Sequence, residues 1–391
     1  MKNLKLSLFG LGLAAITIAS CSSGTQTTTT VSGLNPERFD SVVNGKATAL
    51  YTLKNNNGME VCITNFGGRV VSIIVPDKAG NPTDVVLGYD NLAQYTDSVN
   101  SPSDYGSTVG RYANRINQGK ITIEGVEYQL PKNNFGHCLH GGFSGWMYQV
   151  YDAVQPNDST LEMTIVSPDG DNGFPGTVTA KATYTVLSNN TLDIVFEATT
   201  DKETVVNMTN HCYFNLNGDP SKVGTDMTLY INADNYTPAD ATYMTTGEIA
   251  SVEGTPMDFR NPHVIANTIC DTTFQQIKNA TGYDHNWCLN TYKDGKGDDK
   301  TVCASLWSAK TGILLEMFTN EPGVQCYTGN FQGIGNEPNI KHKGGKYPQY
   351  VSVCLESQKY PDSPNKKDFV QPTLKPGEKY YSHAAYRFSI K

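Results

Sequence analysis

Apolar residues fall on every second position through most of this chain, and that period of two confines it to β-structure. Leu161, Met163 and Ile165 alternate with polar neighbours, as do Val178, Ala180, Ala182, Tyr184 and Val186. After Asn189-Asn190, a turn pair that tolerates left-handed backbone, the alternation resumes at Leu192, Ile194, Phe196 and Ala198. Two alternating runs around such a turn spell a β-hairpin. Ile121–Ile123 and Val126–Tyr128 flank Glu124-Gly125 in the same way, Met227, Leu229 and Ile231 mark another strand, and Leu306 and Leu314 flank a turn at Lys310-Thr311-Gly312. No long amphipathic helix is readable; Asn91–Tyr95 can form one short turn. The abundance of glycine (36) and tyrosine (22) suits sheets joined by tight turns. The expected class is therefore all-β, a large antiparallel β-sandwich forming one domain from residue 35 to 391.

The first 20 residues read as an export signal. Lys2 and Lys5 precede an apolar run, Leu6 to Ile18, that is shorter than the ~20 residues a membrane-spanning helix needs. Ile18-Ala19-Ser20-Cys21 resembles a bacterial lipobox, with lipidation expected at Cys21; ordinary secretory cleavage is the competing reading. Residues 21–34 are polar and of low complexity, a tether. The expected location is the cell envelope, with the membrane met only through the lipid anchor. Residues 1–20 hold two lysines and no acid, so the remainder carries 28 Lys and Arg against 38 Asp and Glu. Without a basic run to track a phosphate backbone, nucleic acid is not an expected partner; a small neutral molecule fits better. Eight cysteines remain beyond Cys21, none in a Cys-x-x-Cys pair, so no metal site is indicated. Most sit in apolar strand patterns and are expected as free thiols.

Five stretches place polar groups where a plain core would avoid them. Thr108–Ile116 holds Arg111 and Arg115 in an otherwise apolar run, costly to bury unpartnered. Leu139-His140-Gly141-Gly142 suggests a backbone that approaches something closely. Thr209–Leu216 reads as one apolar strand with His211 at its middle, and imidazole exchanges protons near neutrality. Gly282–Trp287 sets Asp284, His285 and Asn286 among aromatics, the mix a sugar site uses. Val351–Gln358 carries Glu356 at the end of an apolar strand, where a carboxylate's pKa tends to rise. Gln325, between these last two, is a further hydrogen-bonder. Each stretch alone also has a plain reading: solvated arginines, a turn, a core histidine bonded to Asn210 or Asn215, a capped turn, a glutamate in solvent.

Together, and in this order, the stretches resemble the aldose 1-epimerase (galactose mutarotase) family. The resemblance runs from Tyr51 to Phe388 and includes Asn65-Phe66-Gly67-Gly68-Arg69, Gly110–Ile116, Leu139–Gly142, Asn210–Leu216, Met257–Arg260 and Tyr327–Asn330. It implies a single large β-sandwich with an open polar cleft, Glu356 as general base and His211 as general acid. It also implies Arg115, His140, Asp284 and Gln325 as sugar-binding residues, with Asn114 and Tyr213 beside them. Cys212 departs from the Ser or Thr common in the family.

The implied reaction interconverts the α and β anomers of free aldohexoses such as galactose and glucose. It needs one proton removed from the C1 hydroxyl and one given to the ring oxygen, by a base and an acid expected on opposite sides of the ring. Neither a redox step nor a phosphate transfer occurs, so no cofactor and no metal is called for. A non-catalytic sugar-binding lipoprotein, a glycoside hydrolase and a sugar-phosphate epimerase are the other readings.

Overall fold

A computed structural model describes residues 29–97, 103–333 and 347–391. Cys21, the expected lipidation site, lies outside the described residues. Within them the regular structure is mostly strand, and every ladder between named strands is antiparallel.

The largest sheet has nine strands. Its third and fourth strands are the expected hairpin, Val178–Val186 against Thr191–Thr200, with Asn190 in the left-handed region (φ 57°) at the turn. The last strand, Tyr380–Ile390, inserts between that hairpin and the pair Ile313–Thr319 and Ala304–Trp307. A six-stranded sheet, in the order Tyr213–Phe214, Val353–Gln358, Gly323–Tyr327, Asp284–Cys288, Asn235–Thr237, Ala250–Ser251, packs on it. Phe214 meets Tyr386 with ring centroids 5.0 Å apart, and the Tyr386 hydroxyl donates to the Leu355 carbonyl at 2.8 Å. A four-stranded sheet from Leu50 to Asp84 contributes Leu53, Val61, Val70 and Ile73 to the same apolar core. The architecture is an antiparallel β-sandwich.

Among the described residues there are two short α-helices. Leu92–Thr96 is the expected turn, capped by the Asn91 side chain accepting from the Gln94 N–H. Gln275–Ala280 escapes sequence reading because it is one and a half turns long and has no side-chain cap. Neither is long and apolar enough to cross a membrane.

Two expectations are revised. Residues 30–34, assigned to the tether, are docked: Leu34 is buried against Phe39, and the Val31 N–H donates to Glu60 at 2.7 Å. Thr209–Leu216 is not one strand. Thr209–His211 pairs with Ser107–Val109, whereas Tyr213–Phe214 pairs with Cys354 and Val353 in the six-stranded sheet. The chain changes partners at Cys212, whose N–H is taken by the Asn210 side chain at 3.2 Å. All eight cysteines beyond Cys21 are free, and seven are buried.

Candidate active site

The period of two that builds the core also builds the site. In the six-stranded sheet Asn286 lies opposite Gln325, and Gln325 opposite Glu356. Residues directly opposite share a face, and so do residues two apart. One face therefore presents Asp284, Asn286, Gln325, Tyr327, Glu356 and Gln358, while Trp287, Val324, Cys326, Val353 and Leu355 enter the core. The polar face floors a cavity of about 380 Å³, within the range of small-molecule sites.

Every residue that the family resemblance marks for substrate or proton chemistry lines that cavity: Asn114, Arg115, His140, His211, Tyr213, Asp284, Gln325 and Glu356. His211 enters from the short strand paired to Ser107–Val109. Its Nε2 lies 3.5 Å from Glu356 Oε1. Neither Asn210 nor Asn215 holds it: their amides donate to Gly106 and Tyr184 and to Val351 instead. The Tyr213 ring stacks on the imidazole at 4.8 Å and 11° between planes. His211 Nδ1 and Glu356 Oε2 have no hydrogen-bond partner among the described residues.

Glu356 sits inside its strand, not at the end, and is 2 % exposed. Burial pushes its carboxyl well above the ordinary range; Asp284 and Asp104 add to the rise and Arg115 opposes it. Burial lowers the His211 imidazole, against the pull of Asp104 and Asp284. Both displacements favour the uncharged forms. A pair holding a single proton between Nε2 and Oε1 thus has two forms, imidazolium–carboxylate and imidazole–carboxylic acid. They differ only in which atom carries the proton.

The surrounding groups are fixed by their own bonds. His140 Nδ1 accepts from the Asn114 N–H at 3.1 Å, and burial pushes this imidazole down to about 3. His140 is therefore neutral with its proton on Nε2, a donor that faces the cavity. Gly141 explains the glycine pair: a Cβ there would lie 2.2 Å from the Gly110 carbonyl oxygen. Gln325 Nε2 donates to Asp284 Oδ1 at 2.7 Å, and Gln358 links Asn114, Asn286 and Gln325 beneath the floor. Arg115 is buried, donates to Asn134 Oδ1 at 3.0 Å and covers the Tyr243 ring at 4.9 Å. Arg111 points the other way, into the carbonyls of Ser167, Pro175 and Gly176, a structural role.

The sequence profile of the aldose 1-epimerase family matches residues 49–387. The chain belongs to the aldose 1-epimerase family. It is 38 % identical over 353 residues to a galactose mutarotase from Mus musculus, covering 90 % of this chain and 97 % of the mouse protein. It is 36 % identical over 351 residues to the aldose 1-epimerase of Escherichia coli, covering 88 % of this chain and 96 % of that one. An aldose epimerase homologue from C. elegans superposes with a TM-score of 0.79 at 29 % identity, over 88 % of this chain and 99 % of that chain.

Against that family frame, two features of the sequence reading change. The aromatics beside Asp284 face the core: Tyr283 and Trp287 are fully buried, and His285 lies between Trp287 and Tyr236 with burial pushing it down to about 3. The rings that do line the epimerase cavity are Tyr105, Tyr213, Tyr327, Phe135 and Phe331. Asp104 and Gln332 also line it and carry no pattern in the sequence that would single them out. Asp104 comes close to two histidines: its carboxylate and a ring nitrogen of each of His140 and His211 lie within 4.8 Å of one another.

Proposed function

We propose that this epimerase interconverts the α and β anomers of free aldohexoses, galactose and glucose among them, with Glu356 as the base and His211 as the acid. The observation that carries the reading is the 3.5 Å approach of His211 Nε2 to Glu356 Oε1 in the floor of a sugar-sized polar cavity. Glu356 takes the proton of the C1 hydroxyl as the bond from C1 to the ring oxygen breaks and the aldehyde forms. His211 Nε2 delivers its proton to the ring oxygen. The pair is then imidazole and carboxylic acid, one proton in total as before. Rotation about C1–C2 turns the other aldehyde face inward, and the same transfers in reverse close the ring.

The two groups stand side by side, not on opposite sides of the ring as the sequence reading had it. This is chemically sound, because the hydroxyl and ring oxygens are bonded to the same carbon. His140 Nε2–H, Arg115 and the Gln325–Asp284 pair supply donors and acceptors for the other hydroxyls. A glycoside hydrolase would set two carboxylates about the scissile bond; here the near neighbour of Glu356 is an imidazole.

The test is polarimetry on freshly dissolved α-galactose and α-glucose. Glu356→Gln and His211→Asn are each expected to lose on the order of 100- to 10,000-fold in kcat. Rates within a few-fold of wild type in either variant reject the assignment of that residue.

A further inference from the structure

Asp104 belongs to the segment that enters the cavity just before Ser107–Val109, and its backbone is anchored on both sides. Buried Arg69 donates from Nη1 to the carbonyls of Ser103 and Tyr105, at 3.1 and 3.2 Å. The Ser107 N–H and hydroxyl both donate to the Asp104 carbonyl, at 3.0 and 2.9 Å. The side chain is half-buried and lines the cavity with His140 and His211.

We propose that Asp104 is a positioning residue for the acid step, a carboxylate held beside His211 as the counter-ion of its imidazolium. This rests on the proton-transfer reading above and deepens it. Of the two one-proton forms of the His211–Glu356 pair, only imidazolium–carboxylate is ready to open a ring. Burial of both groups disfavours it. An anion near the imidazole offsets that cost. His140 is unsuited to compete for the same counter-ion, because the Asn114 N–H occupies its Nδ1 and it stays neutral.

Several other charges face the imidazole. Asp284 and Glu356, from the six-stranded sheet, are the other anions near it. Arg69 works against its protonation, and Arg115 acts on Glu356 and on His140. Tyr213 stacks on the ring and stays un-ionised, its hydroxyl raised well above its ordinary value by burial. The Asp104 carboxylate lies within 4.8 Å of a His211 ring nitrogen, in a trio that does not include Glu356, so its charge sits beside the imidazole.

The experiment is Asp104→Asn beside Asp104→Glu. In the first, kcat/KM is expected to fall roughly tenfold or more, and both limbs of its pH profile move to lower pH, since an anion that favoured protonation is gone. The second keeps the charge and keeps the limbs near their wild-type positions. Limbs that coincide in wild type and Asp104→Asn, with the loss confined to KM, overturn the proposal and leave Asp104 a hydroxyl acceptor. Titration of the His211 ring protons by NMR, assigned by their absence in His211→Asn, decides independently of turnover. Proton loss at lower pH in Asp104→Asn supports the counter-ion, and an unchanged titration rejects it. Wild-type protein inert towards fresh α-galactose and α-glucose defeats the proposed function, while this titration still reads the counter-ion.

Discussion

A fully buried glutamate is a stability cost. The Glu356 carboxyl is raised well above its ordinary 4.5 by burial. For a group raised on folding, the stabilising contribution is complete below the unfolded value and is lost as pH rises through the folded one. Glu356→Gln keeps the shape and removes the proton demand. It should therefore match wild type in thermal unfolding near pH 4 and be more stable at pH 8, by on the order of 1–3 kcal/mol. A variant less stable than wild type at pH 8 contradicts this. His285 has the opposite sign. Its imidazole, walled in by Trp287 and Tyr236, is held neutral and pushed down to about 3 from 6.5. A lowered base contributes stability above its unfolded value and loses it as pH falls towards the folded one. Taken alone, this single group costs about 2 kcal/mol by pH 5. Urea midpoints of wild type and His285→Gln between pH 7 and pH 5 read it: the wild-type midpoint falls more steeply.

At the scale of elements, the link between Gly110 and Gly141 positions one wall of the site. A Cβ on Gly141 would lie 2.2 Å from the Gly110 carbonyl oxygen, and φ is +84°. Gly125, at the tip of the Ile121–Tyr128 hairpin, has nearly the same φ of +80° with nothing within 4 Å. The two make a matched pair. Gly125→Ala pays only the left-handed backbone cost, about 1 kcal/mol. Gly141→Ala adds the clash, for a total of roughly 2–4 kcal/mol. It also moves His140 off the Asn114 N–H, so sugar KM rises in this variant and not in the first. Equal Tm and KM for the two would show that the wall yields.

The same scale shows what could be read from the sequence. The hairpins at Asn190 and Gly125 were legible because turn chemistry and period two are local. The alternation also held a signal left unused: Asp284 and Asn286 sit on one face, so His285 and Trp287 had to sit on the other, in the core. The break at Cys212 was not legible. It depends on Ser107–Val109 and on Val353–Gln358, both distant in sequence, each taking half of an apolar run. Asp104 was hidden for the same reason, as its placement is set by an arginine 35 positions earlier.

For the whole molecule, the sandwich places the polar floor of the cavity on one sheet and leaves the N-terminal segment on another. Leu34 is buried with Phe39, and Val31 is bonded to Glu60, the first residue of an inner strand of the four-stranded sheet. Within residues 21–34, the docked segment begins near Thr30. From Cys21 to Thr30 the chain can extend at most roughly 30 Å. A lipid on Cys21 would thus hold the four-stranded sheet close to the membrane surface, with the polar floor of the cavity on a different sheet. In cells of a bacterium that processes lipoproteins, the full-length chain is expected to incorporate labelled palmitate and partition into detergent. Cys21→Ser is expected to do neither while keeping full epimerase activity, because the described residues that line the cavity all lie at Ser103 or beyond. Aqueous partitioning of the unaltered chain would defeat the anchor and leave the reaction chemistry as it stands.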